Sequence, residues 1–238
     1  MSAAEQRPFV CGFGDPSAGV GGLAWDLGEP GALVLSGGEI SAATFALEEG
    51  GDAATLEITA GEMTVEATVT PRTAELALGD AGLTVVVCTA EVNRGDGSQR
   101  FQCAGQISRW SADPLEGAGT FRHLAIDAGD ESLLVVDSRG EPVAEHGEER
   151  TAAWLIHGED ESRFEDAFVS TQYDGDGNPS RLGLELWPEE VERASRAAAT
   201  RVAAASEGGI GREGVWAGFF RCQTDGILGL GSYLLRRT

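Results

Sequence analysis

The chain has 238 residues, 17 basic side chains against 39 acidic ones and a formal charge of −22, and every basic residue is arginine. Such a charge opposes nucleic acid or an anionic membrane as partner, and without lysine there is no Schiff-base chemistry and no lysine phosphate cradle. With 42% apolar residues and 34 glycines, this length suits one large β unit or two small ones with a substantial core.

Met1 to Pro8 shows no basic stretch leading into an apolar run, and no run approaches the length of a spanning helix. The expectation is a soluble, cytoplasmic protein without a membrane span. Arginine, alanine and glycine richness without lysine suggests a bacterial source with a GC-rich genome. Cys11, Cys88, Cys103 and Cys222 lack the density of a disulfide scaffold and the spacing of a zinc site, and they read as buried thiols.

Short β-type runs begin at Ala32 to Leu35, Ala42 to Glu48 and Ala54 to Thr59. In Met63 to Thr70, Met63, Val65, Ala67 and Val69 share one face and the threonines and Glu66 the other, until Pro71 ends the run. Ala74 to Leu78, Leu83 to Val92, Arg100 to Trp110, Phe121 to Asp127 and Ser132 to Asp137 follow. Then come Thr151 to His157, Ala167 to Tyr173, Arg181 to Trp187, Gly214 to Gln223 and Leu228 to Arg236. Tyr173 to Pro179 and Thr224 to Gly226 are hairpin turns, because Asp-Gly pairs supply the positive φ that tight turns need. Pro188 to Ala205 has helix composition, with early glutamates and later arginines. It predicts a short helix near 189–205, although Ala197 to Ala205 would also serve as a bland strand, and 191–205 stays open between the two.

About fourteen short strands at this spacing predict an all-β, antiparallel protein of two lipocalin-like barrel or sandwich halves. The halves are 1–119 and 120–238, joined loosely at Ser111 to Gly119 into one continuous body. Their net charges, −12 and −10, are similar, and no sharp internal sequence repeat is visible.

Asp174-Gly175-Asp176-Gly177-Asn178 with Glu185 has the oxygen spacing of a calcium loop, but Pro179 stands where that loop needs glycine. The reading is an acidic hairpin turn, with no metal and no cofactor. His123, His146 and His157 are too scattered to define a metal site, and there is neither a GxSxG nor a GxGxxG opening a helix. The strand faces are more informative. Phe121, His123, Ala125 and Asp127 share a face, as do Trp216, Gly218, Phe220 and Cys222, and Glu185 shares one with Trp187 and Arg181. Isolated polar groups beside large aromatics suit a cavity for an apolar ligand with a polar anchor, or an outer sheet face under solvent.

Arg139-Gly140, His146 to Glu149, Ser170 to Gly177, Gly183 to Trp187, and Asp225-Gly226 with Gly229 to Tyr233 resemble the two-barrel lipocalin-like proteins. These include hydroxyneurosporene synthase (carotenoid hydratase) and related terpene-cyclase-like proteins, and the resemblance covers residues 120–238. It implies antiparallel barrels around an apolar cavity, strand rather than helix for Ala197 to Ala205, and protonation of an isoprenoid double bond by a carboxylic acid.

The expected function is binding of a small isoprenoid- or lipid-like molecule in a barrel cavity, with Trp154, Trp187, Trp216, Tyr173, His123 and Phe220 as its walls. The alternative is a cofactor-independent hydratase or cyclase with Glu185 or Asp127 as proton donor and tryptophan faces to stabilise a carbocation. A third reading is an interaction protein kept soluble by its acidic shell. The partner is then a small apolar molecule, and a homodimer is left open.

Overall fold

The computed structural model describes residues 7–15, 19–37, 39–50, 53–78, 82–94, 100–129, 132–141, 149–158, 160–188, 195–201, 210–211, 215–224 and 227–237. The first half contains β1 (Phe9–Asp15), β2 (Val20–Asp26), β3 (Pro30–Ser36), β4 (Glu39–Gly50), β5 (Ala53–Ala60), β6 (Met63–Pro71), β7 (Leu76–Leu78), β8 (Leu83–Arg94) and β9 (Arg100–Trp110). The second contains β10 (Thr120–Gly129), β11 (Ser132–Gly140), β12 (Arg150–His157), β13 (Asp160–Tyr173), β14 (Pro179–Pro188), β15 (Ser195–Arg201), β16 (Ile210–Gly211), β17 (Val215–Thr224) and β18 (Ile227–Arg237).

Each half is an antiparallel meander that closes on itself. β1 pairs with both β2 and β9, and β6 pairs with β8, so eight strands form barrel one while short β7 extends along the free part of β8. Barrel two repeats this order strand for strand, with β10 beside β11 and β18, β15 beside β17, and β16 in the place of β7. Closure leaves no free edge strand among the eight of each barrel, and only short β7 and β16 pair on one side alone. Among the described residues none is helical, so none could cross a membrane as a helix.

Two expectations change. Ser195–Arg201 is a strand rather than part of a helix, because it bridges β14 and β17 and closes barrel two; tertiary pairing overrides the weak alanine and arginine propensity. The rest of the predicted helix, 189–194 and 202–205, lies outside the described residues. β1 and β2 were not among the expected strands, since their glycines argue against strand formation. Gly12, Gly14 and Gly21 face the other barrel, whereas Gly22 faces Phe13 and Ile58 inside barrel one. A Cβ on Gly12 would come within 3.1 Å of Ser232 Oγ, and one on Gly21 within 3.1 Å of the Phe219 ring.

Three apolar clusters follow from the alternation. Leu56, Ile58, Val65, Ala67 and Val92 fill barrel one and are fully buried. Leu124, Ile126, Val136, Leu184 and Phe220 fill much of barrel two. Val10, Leu23, Trp110, Phe121, Val135 and Phe219 belong to a third cluster, on the outward faces where the barrels press together. A residue beside a water-sized void keeps accessible area, so zero exposure along the lumen of barrel one marks close packing.

The cysteines are free, three buried and Cys103 half-buried. Burial pushes the Cys88, Cys103 and Cys222 thiols up to about 12, and that of Cys11 higher still. Alkylation of the native protein at pH 8 is expected to be slow everywhere and to begin at Cys103, as peptide mass mapping would show. Initial labelling at Cys11 would contradict this packing.

The hairpin between β13 and β14 forms as expected. The Asp174 and Gly177 backbones close the turn, with Gly177 at φ 80°. Asp174 Oδ1 accepts the amides of Asp176 (3.0 Å) and Asn178 (2.9 Å), and Oδ2 accepts Arg201 Nη2 at 2.9 Å. The turn and the barrel-closing strand thus hold the first carboxylate of the would-be calcium loop. The Asn178 amide, then Arg201 and Asp176, hold this carboxyl below the usual range. A folded value below the unfolded one gives stability that is present at neutral pH and fades as pH falls below about 4. Asp174→Asn should therefore flatten the acid limb of a urea-midpoint-against-pH curve; an unchanged acid limb would contradict the assignment. The Asp225-Gly226 turn lies outside the described residues, although the ladder runs to Thr224 opposite Ile227.

Candidate ligand site at the seam between the barrels

Strand β10 divides its side chains between two environments. Arg122, Leu124 and Ile126 enter the lumen of barrel two, while Phe121, His123, Ala125 and Asp127 point outward. The shared face read from the sequence is therefore real, but it looks onto barrel one rather than into a lumen. Across from it stand the outward residues of β1 and β9, including Gly12, Gln106, Ser108 and Trp110.

A cavity of about 30 Å³ lies in this seam, between Gly12 and Gln106 of barrel one and Ala125, Asp127, Phe219 and Ser232 of barrel two. That is room for one or two water-sized groups. Its polar contributions are the Gln106 amide, the Ser232 hydroxyl and the half-buried Asp127 carboxylate. Gln106 is 2% exposed. Its Oε1 accepts the Ser108 hydroxyl at 2.7 Å, while its Nε2 is buried without a partner.

The polar strip extends along the seam. His123, 1% exposed, meets the Trp110 ring edge-to-face at 4.9 Å between centroids. Its Nδ1 lies 3.7 Å from Asp137 Oδ1, and neither ring nitrogen nor that oxygen has a hydrogen-bond partner. Asp137 Oδ2 accepts Nε of Arg139 at 3.2 Å and Nη2 at 3.0 Å. The Trp110 indole N–H is likewise buried and unpartnered. Buried polar groups are nearly always paired, so the unpaired donors and acceptors clustered at this interface call for a partner, an ordered water or a ligand group alike. An imidazole and two carboxylates along this interface are groups that can anchor a polar ligand group or take part in proton transfer.

The residues singled out from sequence fall into three places. Asp127, His123 and Trp154 belong to the seam, where Trp154 is buried in the inter-barrel core. Trp216, Phe220 and Tyr173 line the interior of barrel two. Glu185 and Trp187 lie on its outer face, Glu185 paired with exposed Phe168 and Trp187 with Asp166. The sequence reading did not single out Gln106, Ser108, Trp110, Asp137 or Ser232. The signal for the first three was present in the polar alternation near the end of the β9 run.

The fold has solved counterparts. A crystal structure assigned as AttH (NE1406) from Nitrosomonas europaea superposes with a TM-score of 0.68 at 13% identity, covering 98% of this chain and 93% of that one. CghA, solved alone and with Sch210972, superposes at 0.57 and 0.58 with 11% identity, covering 97% of this chain and 88% of its own. These likenesses establish the two-barrel lipocalin-like fold. No family model and no curated protein matches the sequence.

Proposed function

We propose that the protein binds a small isoprenoid- or lipid-like molecule, apolar in its body and carrying one polar group, in the seam between the barrels. The observation that carries this reading is the buried Gln106 side chain, its Nε2 without a hydrogen-bond partner, lining a cavity shared with Asp127 and Ser232. Domain interfaces with apolar walls and a few converging polar groups are preferred ligand sites. The tight packing in barrel one turns attention from a lumen to the seam. A terpenoid exceeds the present cavity, so binding would require Leu133, Phe219 and Leu230 to give way and the seam to widen. That a neighbour of this fold was solved with a small molecule, Sch210972, supports the reading by analogy.

Farnesol provides the test, with the hydrocarbon farnesene as its control. Saturable tryptophan quenching by both is expected in the wild type. Asp127→Asn and Gln106→Leu should weaken farnesol about 10- to 100-fold, the equivalent of one hydrogen bond to a charged or buried group, and leave farnesene unchanged. Equal weakening of both ligands, or no binding to the wild type, would remove the assignment.

A hydratase or cyclase reading is favoured by one observation: the His123–Asp137 pair and Asp127 lie in the same inter-barrel interface. On this reading Asp127 would donate a proton to a double bond in the seam, and Glu185 would act only on a substrate held against the outer face. This is the carotenoid-hydratase-like chemistry suggested by the second half of the sequence. Water addition to farnesene, followed by gas chromatography, would be lost in Asp127→Asn if the reading holds and retained if it does not.

A further inference from the structure

Barrel two turns an aromatic pair toward solvent. Phe168 on β13 and Trp187 on β14 are 53% and 37% exposed, the two large apolar side chains so placed among the described residues. The barrel interior does not use these rings: Leu182, Leu184 and Leu186 supply the inner face of β14, and Ala167 that of β13. The ladder pairs Phe168 with Glu185 and Asp166 with Trp187, so the rings are diagonal neighbours on one outer face and a carboxylate stands across from each. The register slips between Phe164 and Asp166, and this bulge leaves Glu165 and Asp166 both exposed although they are consecutive. Along β13 the exposed charges are Asp160, Glu161, Glu165 and Asp166 against Arg163 alone.

Charge decides what such a face can hold. A second copy brings another −22, and nucleic acid or an anionic membrane meets the same repulsion. Two rings are also too little apolar surface for a stable contact made by burial alone, which takes roughly 1,000 Å² or more. A cation gains twice, from the ring faces and from the carboxylates beside them. The spacing favours an extended chain. Diagonal neighbours on a sheet face lie about 7–8 Å apart, close to the roughly 7 Å between alternate side chains of an extended segment.

We infer that this outer face of barrel two docks a basic segment of another protein, held in extended form. Its arginine or lysine side chains, two residues apart, lie over Phe168 and Trp187 and beside Asp166 and Glu185. Strands β13 and β14 take no part in the seam cavity, and the docking face does not depend on the function proposed there.

The probe is a fluorescein-labelled peptide of alternating arginine and threonine, read by anisotropy at physiological ionic strength. The same peptide with citrulline for arginine is the neutral control. Saturable binding of the arginine peptide alone is expected. Trp187→Ala should weaken it about 2- to 30-fold, the worth of one cation–π contact, and adding Phe168→Ala should weaken it further. Both rings face solvent, so the fold should survive their loss; Asp166→Asn, which keeps both rings, should weaken binding as well. Glu57→Gln, which removes an exposed charge from barrel one, should leave the affinity unchanged. No binding by the wild type, equal binding of the citrulline peptide, equal weakening by Glu57→Gln, or a wild-type dimer that Trp187→Ala breaks apart would overturn the assignment.

Discussion

Glu149→Gln is expected to lower stability by about 3–5 kcal/mol, the usual cost of leaving one member of a buried ion pair without its partner. The size follows from geometry: the Arg122 side chain is 3% exposed and that of Glu149 11%. No other carboxylate is recorded on Arg122 among the described residues, and its Nε already lacks a hydrogen bond. Arg122→Met alone should cost a similar amount by stranding Glu149 beside Ser138. Combining the two changes removes both charges, and the double variant should recover most of the loss, because well-packed apolar replacements of buried pairs are often neutral or stabilising. A urea double-mutant cycle reads this as strong coupling. Additive losses would show that the two residues act independently.

Trp110→Ala should cost a comparable amount, about 3–5 kcal/mol, by opening a cavity where the barrels meet. Trp110 is 1% exposed and belongs to the inter-barrel cluster. Its ring meets Phe121 at 5.8 Å and His123 at 4.9 Å, both edge-to-face from barrel two. A truncation inside one lumen, such as Ile58→Ala, should destabilise barrel one while leaving the seam intact. The two kinds of lesion are separable by native-state hydrogen exchange. Trp110→Ala should raise exchange in β9 and β10 together, whereas Ile58→Ala should act on β5 and its neighbours. A Trp110→Ala effect confined to barrel one would argue against an energetic role for the seam.

Much of this architecture could be read from the sequence, and the failures have physical causes. Strand β6 was plain from its alternation and its terminal proline, and the hairpin at Tyr173 to Pro179 from its Asp-Gly pairs. β1 and β2 were hidden because Gly12 and Gly21 are dictated by side chains from the other barrel, which no local propensity contains. β15 looked helical because alanine and arginine favour helix locally, while its state is decided by β14 and β17 on either side. The repeated topology shows no sequence repeat, since a meander needs only alternation and turns, and the two interiors differ, one apolar and one containing Arg122 and Glu149.

The site was partly legible for a related reason. Alternation established that His123 and Asp127 share a face. It cannot tell whether that face is a lumen or an outer surface covered by another barrel. For Glu185 and Trp187 the shared face is the solvent side of barrel two, and for Trp216 and Phe220 it is the interior. Gln106 and Asp137 acquire meaning only once the barrels are juxtaposed.

The claim that the seam binds a small apolar molecule is tested most directly by native mass spectrometry after exposure to farnesol. Wild-type protein is compared with Ala125→Leu, which places added bulk at the cavity wall. A single retained ligand on the wild type, lost from a variant with unchanged Tm, is the predicted result. No retained ligand on the wild type, or equal retention by the variant, would contradict a site between the barrels.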